Sequence, residues 1–206
     1  IWIVDDFFST PLDRCFGMMR PSSTRRIKNP QEKNQIPIIK LGNLIELQFD
    51  DINGDEADYY YKIEHYNFDW TKSQLMKSEY LDGLDDQHIQ QYENSFNTLQ
   101  LYSHYILKIP NRDVRLTKTG NYLLKIFNDE DELVFSKRFI LYDDELVVAP
   151  QIKRSRDLAF IEATQVVQFS IKSPNRTLIN PRETVKTLVF QNNDIDNAIT
   201  DLVPQY

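Results

Sequence analysis

Short stretches in which apolar and polar residues alternate, and turn signals set between them at short intervals, predict an all-β chain, an immunoglobulin-like antiparallel β-sandwich. Residues 1–35 come first and show neither feature. They hold a short apolar start, Ile1-Trp2-Ile3-Val4, then Pro11, Pro21 and Pro30 around a basic patch of Arg20, Arg25, Arg26 and Lys28, and read as an irregular N-terminal segment. Residues 36–145 are expected to form the sandwich domain. In it Ile45, Leu47 and Phe49 share one face while Glu46, Gln48 and Asp50 share the other. Asn53-Gly54 supplies the residues of a hairpin turn, and Tyr59, Tyr61 and Ile63 return on the inner face. The stretch from Asp69 to Leu101 is less regular. Ile89, Tyr92, Phe96 and Leu99 approximate helical spacing among Gln, Asn and Ser, so a long crossover with a short helical turn is expected there. Further strands are read at Tyr105–Ile109, Tyr122–Ile126 and Leu133–Leu141, with acidic Asn128 to Glu132 closing a hairpin between the last two. Beyond Asp143-Asp144-Glu145, apolar runs at Leu146–Pro150, Val167–Ile171 and Val185–Phe190 are too few to close a second sandwich. Residues 146–206 are therefore expected to be a partial second β domain.

Composition narrows the function. A chain of 206 residues with 41% hydrophobic residues can bury a real core, and its five glycines leave little room for long flexible linkers. A net charge of −7 argues against nucleic acid, whose binding needs clustered Lys and Arg. The acids gather in short runs such as Asp50-Asp51 and Asp129 to Glu132, which read as solvated loop tips. Cys15 is the single cysteine, so no disulfide can form within the chain. No apolar run is long enough to span a membrane, so direct membrane insertion is not expected. The chain begins with Ile1 and not Met, and reads as a fragment or a mature form.

Catalytic signatures do not emerge. The glycines at 17, 42, 54, 83 and 120 are too scattered for a phosphate-binding loop. His65, His88 and His104 lack the spacing of a helical metal pair, and one cysteine cannot build a zinc site. A calcium loop around Asp51-Ile52-Asn53-Gly54 would put Phe49 and Tyr60 at its ligand positions. No Gly-x-Ser-x-Gly elbow exists and no carboxylate pair stands out, so neither an enzyme nor a cofactor is expected.

Aromatic residues remain. Tyr59, Tyr61, Tyr105 and Tyr122 fall at inner strand positions and read as core. Tyr66, Phe68, Trp70, Tyr80, Tyr92, Phe96 and Tyr102 fall at strand ends or in the crossover, and are the candidate partner contacts. A carbohydrate-binding module laying Trp70 and neighbouring Tyr rings against a glycan is the alternative use of the same residues.

Ordered blocks run through the aromatic-rich middle of the chain: Tyr59-Tyr60-Tyr61-Lys62-Ile63-Glu64-His65, Phe68-Asp69-Trp70, Glu79-Tyr80-Leu81-Asp82-Gly83, Ser95-Phe96-Asn97-Thr98, Ile109-Pro110-Asn111 and Gly120-Asn121-Tyr122-Leu123-Leu124. In order and spacing they resemble the first domain of the plug protein of the type IX secretion system. Pro37 to Leu41 and Leu44 to Asp50 upstream, with Asn180-Pro181-Arg182-Glu183 and Asp196-Asn197-Ala198-Ile199 downstream, extend the resemblance from about Ile36 to Tyr206. Residues 1–30 do not follow the family's pattern. The resemblance implies a periplasmic, non-enzymatic protein that closes the mouth of a large outer-membrane β-barrel translocon. It assigns no contact residues.

Overall fold

The computed structural model describes residues 15–21, 36–53, 56–84, 86–159, 161–175, 177–189, 198–200 and 202–204. In chain order the elements begin with β1 (Cys15–Pro21), β2 (Ile38–Lys40), β3 (Ile45–Asp51) and β4 (Tyr60–Tyr66), followed by the short helix α1 (Lys77–Tyr80). Next come β5 (Leu81–Gly83), β6 (Gln87–His88), β7 (Tyr92–Asn94), β8 (Ser103–Ile109), β9 (Val114–Leu116), β10 (Gly120–Phe127) and β11 (Leu133–Tyr142). The last are β12 (Val147–Arg154), β13 (Gln165–Lys172) and α2 (Pro181–Thr184).

Two sheets make the sandwich. One has the order β1-β3-β8-β7 and the other β2-β11-β10-β4-β6. All pairings are antiparallel except β2 with β11, which run parallel. This split of strands between sheets is the immunoglobulin-like arrangement expected from the sequence. The period-2 alternation explains it locally: β3 and β8 bury every second residue, as does β4. Ile45, Leu47 and Phe49 sit opposite Ile109, Leu107 and Tyr105 on one inner face. Tyr61, Ile63, Leu124, Ile126 and Phe139 fill the other.

The inner tyrosines solve the polar problem that an aromatic core creates. Tyr105 donates its hydroxyl to the Ala57 carbonyl at 2.7 Å, Tyr59 to Asp51 at 2.9 Å and Tyr80 to the Ile63 carbonyl at 3.3 Å. Tyr122 reaches back to the Lys118 carbonyl at 2.7 Å. That last bond, at the start of β10, is the tyrosine corner of immunoglobulin-like sandwiches.

Several sequence expectations are corrected. Residues 1–35 were expected to be an irregular segment, and of these the described stretch Cys15–Pro21 is a strand paired along its whole length with β3. The Asn53-Gly54 hairpin does not form, because β3 and β4 belong to different sheets and the chain between them crosses the sandwich. Gly54 itself lies outside the described residues. The turn instead starts at Asp51, whose carboxylate accepts from the Asn53 amide at 2.9 Å. Asp51 is consequently buried and is not a solvated loop tip. The helical turn in the crossover falls at Lys77–Tyr80, ahead of Ile89–Leu99, which instead contributes the strand β7. The β10–β11 hairpin forms as expected, with Asn128 accepting from the Glu132 amide at 2.8 Å.

Contacts divide the chain into two compact units, residues 1–142 with 187–202, and residues 143–186 with 203–206. The second unit is built on the antiparallel ribbon β12–β13, in register from Val147 opposite Lys172 to Arg154 opposite Gln165. Both its strands are edges, which is why Pro150 is tolerated within one of them. The strand expected at Val185–Phe190 is reduced to a single bridge between Val189 and Ile199, with Phe190 outside the described residues.

Candidate protein-interaction site

The seven candidate aromatics separate into three places. Tyr66, Phe68 and Trp70 gather at the end of β4 and on the turn that follows it. Tyr92, Phe96 and Tyr102 stand on the β7–β8 hairpin. Tyr80 is only 4% exposed and packs in the core between His65 and Tyr122, so it leaves the contact face expected for it. The reason is α1, whose single turn rotates Tyr80 inward while Lys77, Ser78 and Glu79 stay exposed.

The turn after β4 is built by its own polar residues. Asn67 donates twice to Thr71, from its backbone amide to the carbonyl and from its side-chain amide to the hydroxyl, and Asp69 accepts from both the Thr71 amide and its hydroxyl. Trp70 closes the turn at φ +58°, a left-handed conformation that costs a bulky residue about 1–3 kcal/mol. Asn121 holds the turn from β10, donating to the carbonyls of Asn67 at 2.8 Å and Phe68 at 3.3 Å. The ring of Trp70 lies across Arg138 of β11, whose Cζ is 4.8 Å from the ring centroid. Phe68 stays 46% exposed beside an open cleft of about 440 Å³ lined by His65, Tyr66, Asn67, Asp69 and residues 119–121.

Among the described residues, Lys62, Glu64, Lys72 and Lys125 on this outer sheet face are all in ion pairs, and Arg138 is not. Glu64 accepts from Lys125 at 2.8 Å and Lys72 at 2.9 Å. Burial pushes its carboxyl up, but those two ammoniums and the Tyr66 hydroxyl outweigh burial and hold it at about 2. Burial and the neighbouring Glu64 carboxylate push Tyr66 up to about 12. Arg138 has no ion pair among the described residues. Its Nη1, the Trp70 Nε1 and the Asn121 Oδ1 are buried without a hydrogen-bond partner among the described residues, and each such group costs about 1–3 kcal/mol. Sequence reading missed Arg138. It is one of several charged residues on strand outer faces, and no local pattern tells it from Lys62 or Lys125.

The second place is a tip. Residues 95–102 are closed by the Ser95 amide to the Tyr102 carbonyl at 2.9 Å and by the Ser95 hydroxyl, which accepts from the Tyr102 amide at 2.8 Å. Gln100 ties the loop to the Ile52 carbonyl at 2.8 Å. On this ordered frame Phe96 is 93% exposed and Leu99 wholly exposed, with Leu101 and Ile52 beside them. Large apolar side chains held out in water by a braced loop mark an interaction surface better than scattered exposed leucines do.

His65 sits behind the first place. Its Nε2 is 3.2 Å from the Thr119 carbonyl, which can only accept, so the neutral ring carries its proton on Nε2. Gly120 makes room for the ring, since a Cβ there would lie 2.3 Å from Nε2. Burial pushes the His65 pKa below its ordinary value of 6.5. The neutral ring is the stabilised form, so stability is expected to be full above pH 6.5 and to fall as pH drops toward the lowered native value. Glu64 adds a second loss between about 4.5 and about 2, where its carboxylate is neutralised. Denaturant midpoints measured across pH will show both slopes, His65→Gln flattening the upper and Glu64→Gln the lower.

Among the described residues, no group of three or more His, Cys, Asp or Glu side chains could hold a metal, and no helix is long and apolar enough to cross a membrane. The Tyr66 and Trp70 rings are tilted by 37°, and Arg138 lies over the Trp70 ring, so these two do not form a flat exposed row.

With this geometry, the model of the type 9 secretion system plug protein first domain matches residues 23–143. The chain belongs to this family. Involvement in type IX secretion follows, and with it a place in a secretion-related system. The matched span of this plug-protein domain takes in residues 23–35, which the sequence resemblance left out, and ends before the downstream blocks around Asn180 and Asp196. A crystal structure of a hypothetical protein from Parabacteroides merdae is similar across 95% of the chain, with 28% identity and a TM-score of 0.78. The chain spans about half the length of that protein, 48% of it. No curated protein matches the chain significantly.

Proposed function

We propose that the chain is part of a non-enzymatic plug, a periplasmic protein that occludes the opening of the outer-membrane β-barrel translocon of the type IX secretion system. The observation that carries this reading is the family match over residues 23–143. A plug works by filling a pore and needs a stiff body with adhesive surface. The sandwich core, with its satisfied tyrosine hydroxyls, supports stiffness, and the two exposed aromatic places support adhesion.

Affinity isolation of the intact protein from detergent-solubilised outer membrane tests the reading. A single very large barrel protein is expected to follow it, and recovery of no barrel would overturn the proposal. Within that experiment, replacing Phe96 and Leu99 together by Asp is expected to lower barrel recovery at least about tenfold, because truncating or charging the apolar anchors of an interface typically removes 2 kcal/mol or more. Both side chains stand in solvent, so the folded state should be unaffected. Circular dichroism and an unchanged denaturation midpoint check that.

A further inference from the structure

Arg138 and Trp70 form a site whose needs the chain itself does not meet. The guanidinium lies against the indole ring at 4.8 Å and makes no ion pair among the described residues. Its Nη1 and the indole Nε1 are both donors, both buried and both without an acceptor among the described residues. The Asn121 Oδ1 is an acceptor in the same condition, and its amide group is fully used in holding the turn that carries Trp70. Two donors thus lie together where Arg138 of β11 meets the ring of Trp70, and the acceptor stands on Asn121 of β10, at the base of the turn that carries Trp70.

We propose that this is a carboxylate-recognition site, occupied by an Asp or Glu side chain on a segment of a protein partner. The carboxylate accepts from Arg138 and from the Trp70 indole, while a backbone amide of the same segment donates to Asn121. Charge decides for a carboxylate over a phosphate group. Lys72 and Lys125 are committed to Glu64 and Lys62 to Asp131, so among the described residues of this face Arg138 is the cation left without an ion pair, which suits a single negative charge. The acceptor decides for a peptide over a free acid, which has no amide to give. Because the donors are covered in the free protein, admitting the ligand requires the Trp70 turn to shift. Only the identity of the partner, the translocon barrel, rests on the plug reading; the site does not.

The test is titration of the ¹⁵N-labelled full chain with Ac-Gly-Glu-Gly-NH₂ and, at matched ionic strength, with its Gln counterpart. The chain has two tryptophans, Trp2 and Trp70, so a Trp70→Phe variant assigns the indole signals directly. The Glu peptide is expected to shift the Trp70 indole N–H saturably, the Gln peptide to leave it in place. Affinity should fall at least tenfold in Arg138→Gln and be partly kept in Arg138→Lys, which retains the charge and reports that the fold survives. Equal shifts with both peptides, no shift, or full binding by Arg138→Gln would overturn the site. Binding of the Glu peptide by a protein that recovers no barrel would leave the site standing and overturn the plug reading alone.

Discussion

Tyr122→Ala is expected to destabilise the first unit by about 3–5 kcal/mol, the cost of emptying a fully buried aromatic position that the surrounding strands cannot refill. Tyr122 is wholly buried, stacked on Phe139 at 5.2 Å and met edge-on by His65 at 5.0 Å. The hydroxyl and the ring can be separated. Tyr122→Phe keeps the ring and removes only the bond to the Lys118 carbonyl, for a loss of about 1 kcal/mol. Urea denaturation with a common slope measures both. Equal losses in the two variants would mean that the tyrosine corner, and not packing, holds this end of the sandwich.

Gly83→Ala is the second large effect, a loss of roughly 2–5 kcal/mol from two causes acting together. The residue adopts φ +106°, and a Cβ there would lie 1.9 Å from the Asp113 carbonyl oxygen. That oxygen belongs to backbone and accepts from the Leu84 amide at 3.0 Å, so it cannot retreat cheaply. Gly42→Ala provides the comparison. It has φ +88° but nothing within 4 Å of the added carbon, so only backbone strain of about 1–2 kcal/mol is expected. A thermal midpoint for Gly83→Ala equal to that of Gly42→Ala would remove the steric argument.

Both effects act on positions whose importance is unevenly visible in the sequence. Tyr122 lies in an alternating run, and its inward direction follows from that alternation alone. Gly83 is one of five scattered glycines, and nothing nearby in the chain announces that Asp113 will press against it. The same contrast runs through the candidate site. Exposure of Phe68, Phe96 and Tyr102 agrees with their place in irregular stretches. Tyr80 lies in an equally irregular stretch but is buried, because one turn of helix and the packing of His65 and Tyr122 decide its direction.

By itself the sequence determined that this protein is all-β, which residues of β3, β4, β8 and β10 face inward, where the β10–β11 hairpin turns, and which family the chain resembles. These are local properties, since a strand's side chains alternate whatever it pairs with. Only the tertiary structure decided the rest. It sent β3 and β4 to opposite sheets despite an apparent hairpin turn, paired β1 with β3 and buried Asp51 under Tyr59. It also laid Trp70 over Arg138, a residue on a strand far along the chain. Pairing is chosen by which sheets can close one core between them, and that choice is made by burial across long sequence separations that no local pattern records.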